Sequence, residues 1–86
     1  MNQSTQTERD LATRLKLYID IVGSLDFDDD VTVSHLLSER ARETDAALIV
    51  RLDEWISLLD QGRRTLAYAE MLGLLARLER GSARLK

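Results

Sequence analysis

Three groups of residues have chemistry to offer: an acidic loop, an arginine pair, and carboxylates scattered around a lone histidine. Asp26, Asp28, Asp29 and Asp30 stand together between two apolar segments. Asp28, Asp30 and Glu39 fall at positions 1, 3 and 12 of the count used by calcium-binding helix–loop–helix units, whose oxygen ligands surround the ion. Position 6 of that count is Val33, where the turn needs glycine, and position 8 is His35. Counting from Asp26 instead puts Leu37 at the last ligand position. A calcium-responsive module using residues 26–39 is therefore the weaker alternative. A solvated capping loop suits the composition better, as does a contact offered by these aspartates to a basic partner.

Arg63 and Arg64 open the last apolar segment. Two cations at a helix N-terminus work against the helix dipole, which favours negative charge there. They are expected to reach back to Asp60 or Asp53. Failing that, they would grip an anion, either a phosphate or an acidic partner's carboxylates, beside the unpaired N–H groups of the helix start. The same pair would lead a recognition helix if residues 46–80 formed a helix-turn-helix, so a DNA-binding regulator is the alternative function. Against it, the segment after Arg64 is apolar over most of its circumference, and the chain is acidic with no continuous basic stripe.

Catalysis finds little to work with. His35 is the only histidine and there is no cysteine, so nucleophile–base pairs are scarce and thiolate metal sites and disulfides are excluded. The carboxylates alternate with arginines, as on a solvated helix face. No glycine-rich phosphate loop occurs. The expectation is a protein that is not an enzyme and needs no cofactor.

The elements that must position these groups are helices. Eighty-six residues make one domain, and with no proline and four glycines nothing interrupts long helical segments. Residues 26–62 carry ten acids against three arginines, whereas residues 63–86 carry six bases against two acids. One acidic and one basic end suit head-to-tail pairing or partners of either sign. The start, MNQSTQTERD, lacks the features of a signal peptide, and no uncharged stretch is long enough to span a bilayer, so a cytoplasmic protein without a membrane partner is expected.

Helix 1 is expected over about residues 8–23, with Thr7 as its cap and Leu11, Leu15, Tyr18, Val22 and Leu25 along one stripe. Leu17 and Ile21 lie opposite, where a helix burying one face has no use for them. Phe27 is expected to anchor the acidic loop in the core. Helix 2 should start near Thr32, capped by Asp30 or Thr32, and end near Glu43. Thr44-Asp45 looks like the cap of a third helix, residues 46–60, although one long helix through both is a rival reading. Gln61-Gly62 supplies a stop, with glycine suited to the left-handed residue after a helix.

Helix 4, residues 64–80, differs from the rest: its apolar residues cover about 220° of the circumference. The predicted fold is all-α, a small three- or four-helix bundle centred on an antiparallel hairpin of residues 46–60 and 64–80, with residues 1–7 and 81–86 frayed. The surplus apolar surface predicts a non-catalytic protein–protein interaction module, a regulator, adaptor, inhibitor or chaperone-like protein, homodimeric through helix 4. Tyr68, Met71, Leu72, Leu75 and Leu78, with Leu17 and Ile21 of helix 1, are its expected interface. The competing explanation is that helix 4 is the central helix, wrapped by the other three.

Overall fold

Two aspartates start the middle helices. The Asp28 carboxylate accepts the Val31 N–H at 2.9 Å, and the Asp45 carboxylate accepts the Leu48 N–H at 2.9 Å. Each satisfies a donor that the first turn of a helix leaves unpaired. The computed structural model describes the backbone of residues 3–84 and the side chains of residues 10–80. It contains four helices: α1 (Gln3–Gly23), α2 (Asp29–Arg42), α3 (Ala46–Asp60) and α4 (Arg64–Arg84). No strand occurs among the described residues.

The helices form a four-membered ring in which each packs against its two neighbours, α1 lying along α4 and α2 along α3. The directions alternate. Gly23 at the end of α1 meets Tyr68 near the start of α4, while Lys16 pairs with Glu79 at 3.5 Å further along, so α1 and α4 run antiparallel. The core takes Leu15, Tyr18, Ile19 and Val22 from α1, Leu36 from α2, Leu48, Leu52, Trp55 and Leu59 from α3, and Ala67 and Met71 from α4. The α3–α4 hairpin turns at Gly62, whose φ of 76° is the only positive value among the described residues. That conformation costs any residue with a Cβ about 1 kcal/mol or more.

Several local expectations shift. Helix α1 begins at Gln3, so Thr7 lies inside the helix rather than capping it, and α4 continues to Arg84. Both helices thus extend into segments expected to fray; residues 1–2 and 85–86 lie outside the described residues. Helix α2 begins three residues earlier than expected because Asp28, not Asp30 or Thr32, is its cap. The break between α2 and α3 falls at residues 43–45, and the continuous-helix reading is excluded.

Leu25 does not extend the α1 stripe. The helix has ended before it, and its side chain is 98% exposed. Phe27 does not enter the core either: its ring stacks on His35, with centroids 4.6 Å apart, over the first turns of α2.

Candidate functional site

The break at residues 43–45 brings together groups that the sequence keeps apart. The Glu43 side chain has no solvent exposure. Tyr18 of α1 donates its hydroxyl proton to Glu43 Oε1, and Arg14 Nε donates to both carboxylate oxygens at 3.0 and 3.1 Å. The backbone N–H groups of Thr44 and Asp45 donate to Oε2 at 3.0 and 2.9 Å. Burial alone would push the Glu43 carboxyl up. The hydrogen bonds from Tyr18, the Asp45 backbone and Arg14 outweigh it and hold the group below its ordinary value. Burial, and then the bond to Glu43, push the Tyr18 phenol up. A carboxylate satisfied on every side is a lock between α1 and the α2–α3 turn, with no lone pair turned to a substrate. Nothing in the sequence marks Glu43 apart from its place just before the Thr44-Asp45 cap.

Arg64 makes a second lock. Its guanidinium donates to Asp29 Oδ1 at 3.0 Å, to the carbonyls of Ser24 at 3.1 Å and Phe27 at 2.7 Å, and to Thr32 Oγ1 at 2.6 Å. The partner is therefore Asp29, not Asp60 or Asp53; Asp53 is held by Arg40 instead. The reason is topological. The end of α1, the start of α2 and the start of α4 share one end of the bundle, so Arg64 reaches their carbonyls before it reaches solvent. It is not available to grip an external anion. Arg63, beside it, is exposed and makes no ion pair among the described residues.

The acidic loop divides in the same way. Asp28 caps α2 and Asp29 binds Arg64, whereas Asp26 and Asp30 are exposed. No group of three or more His, Cys, Asp or Glu among the described residues could hold a metal ion. Asp28, Asp30 and Glu39 are thus not gathered into a calcium site.

The expected interface residues separate by depth. Met71 is fully buried, a correction to its place on a partner surface: it faces the core from the middle of α4. Ile21, Tyr68, Leu75 and Leu78 are partly buried against that core. Leu17 is 46% exposed and Leu72 is 43% exposed. Helix α4 is thus neither surrounded by the other three nor wholly free. It packs against α1 and α3 and turns a third side outward, where Leu66, Ala69, Leu72 and Ala76 are exposed.

Between α3 and α4 runs a groove of about 390 Å³, lined by Arg51, Glu54, Glu70, Gly73 and Arg77 beside Trp55. Trp55 is core, and its Nε1–H is buried without a hydrogen-bond partner. His35 lies elsewhere, on α2 against Phe27. Among the described residues no helix is long and apolar enough to cross a membrane. No protein-family model, curated protein or solved structure matches this chain.

Proposed function

We propose that the protein is a non-catalytic protein–protein interaction module, a small regulator, adaptor, inhibitor or chaperone-like protein, that pairs with a second copy of itself through α4. The observation that carries the reading is the outward side of α4, where Leu66 (40% exposed) and Leu72 (43%) stand with Ala69 and Ala76. Contiguous apolar surface on a chain this small favours association, because covering it removes it from water and adds to a modest core. The cytoplasm is the proposed location, on the sequence grounds given above.

The DNA-binding alternative is weakened by the position of Arg64, which is tied to the α1–α2 loop and to α2. Only Arg63 of that pair remains exposed for a phosphate.

Light scattering of the purified protein at tens of micromolar tests the reading. A mass twice that of the chain is expected, falling to the monomer value in Leu72→Glu with helical content retained. A wild-type monomer that binds no hydrophobic dye would overturn it.

A further inference from the structure

The outward side of α4 carries more order than exposure alone. Leu66, Ala69, Gly73, Ala76 and Arg80 are all exposed, and they succeed one another at alternating steps of three and four residues. That alternation is the seam by which one helix packs along another. None of the five belongs to the core, since Ala67, Met71, Leu74 and Leu78 make inward contacts of α4.

Gly73 is the second observation. Glycine inside a helix costs about 1 kcal/mol relative to alanine. Its φ is not positive, and a Cβ built on it would meet nothing within 4 Å. Neither backbone conformation nor packing within the monomer requires glycine here. A second helix crossing at this point would, since the smaller the side chains at a contact, the closer two helix axes approach.

Charge identifies the occupant. Glu70 and Arg77 lie along one edge of the seam, one turn to either side of Gly73, both exposed and neither ion-paired among the described residues. Two antiparallel copies of α4, related by a two-fold axis close to Gly73, set each Glu70 beside the partner's Arg77 and each Gly73 beside the partner's Ala76. Sliding the pair by one heptad sets Glu70 against Glu70 or Arg77 against Arg77. A parallel pair sets Arg80 against Arg80 inside the seam. Only the first arrangement matches opposite charges on both sides of the axis.

We infer that α4 pairs antiparallel with α4 of a second copy, crossing at Gly73 with reciprocal Glu70–Arg77 contacts. This rests on the proposal that the protein self-associates through α4, and adds the face, the direction and the register. The Leu17–Ile21 side of α1 takes no part in this pairing.

Sedimentation equilibrium on the full chain tests the inference with a charge-reversal cycle. Glu70→Arg and Arg77→Glu are each expected to weaken dimerisation about tenfold, since each turns two attractive contacts into repulsive ones. The double variant Glu70→Arg/Arg77→Glu should restore it. Gly73→Leu should leave a helical monomer, its side chain occupying the crossing point. A dimer unmoved by either reversal and by Gly73→Leu, but split by Leu17→Glu, would overturn this arrangement and leave the homodimer reading standing. A wild-type monomer would overturn the arrangement, and one that also binds no hydrophobic dye would overturn both.

Discussion

The hydroxyl of Tyr18, on α1, donates its proton to the fully buried carboxylate of Glu43, the residue that ends α2. This contact joins residues 25 positions apart and holds the first helix against the turn between the second and third. Tyr18→Phe removes the donor without changing the ring. It should lower stability by about 2 kcal/mol, since a buried hydrogen bond to a charged group contributes more than a neutral one. Urea denaturation followed by circular dichroism would show it; an unchanged midpoint would mean that Arg14 and the two amides suffice.

The same cluster sets an acid dependence. The Glu43 carboxyl lies below its ordinary value in the folded protein, so the folded state favours the charged form. That stabilisation is complete above the unfolded value, about 4.3, and is lost as pH falls through the lower, folded value. Melting temperature should therefore drop more steeply below about pH 4.3 in the wild type than in Glu43→Gln, which starts lower and has no proton to take up at that site. Parallel curves would place the acid sensitivity elsewhere.

Arg64 and Arg63 should separate sharply. Arg64→Ala loses bonds to Asp29, Thr32 and the carbonyls of Ser24 and Phe27, and should cost about 2–3 kcal/mol. Arg64→Lys should recover little, because one ammonium cannot reach acceptors arranged around a planar fork. Arg63→Ala is exposed and should stay within about 0.5 kcal/mol of wild type. Equal effects from the two arginines would contradict the lock.

The glycines should respond with opposite signs. Gly62→Ala places a Cβ on a residue with φ of 76° and should destabilise by about 1 kcal/mol. Gly73→Ala meets open space inside a helix and should raise the stability of the monomer by about 0.5–1 kcal/mol, measured in dilute solution. A loss at Gly73 would reveal a packing demand that the monomer does not display.

Gly23 should be sensitive for a third reason. A Cβ there would lie 2.8 Å from Cε1 of Tyr68, so the ring must move for alanine to fit. Gly23→Ala should cost about 1 kcal/mol in the wild type and nothing in a Tyr68→Ala background, since alanine leaves no ring to displace. Additive effects in the double-mutant cycle would show that the ring yields freely.

How much of this was legible in the sequence follows from the range over which each cause acts. Helix α3 over residues 46–60, its Asp45 cap, the break before it and the stop at Gly62 all match their expectations. A cap, a glycine and a 3.6-residue period act within a turn or two of their own position, so the sequence by itself determined the all-α class and the α3 boundaries. The start of α2 was missed by three residues because several neighbouring aspartates and a threonine compete for one cap.

Only the tertiary structure decided which groups look inward. In the sequence Arg63 and Arg64 are alike, and Glu43 is one acid among fifteen. Arg64 becomes a lock because three helix ends converge on it, and Glu43 because α1 passes over the α2–α3 turn. The wide apolar arc of α4 is likewise divided by its neighbours. Where α1 and α3 lie against it, Met71 and Ala67 are core; where nothing does, Leu66, Ala69 and Leu72 remain exposed. Periodicity states how much of a helix is apolar, while the placement of the other helices states which part of it stays exposed.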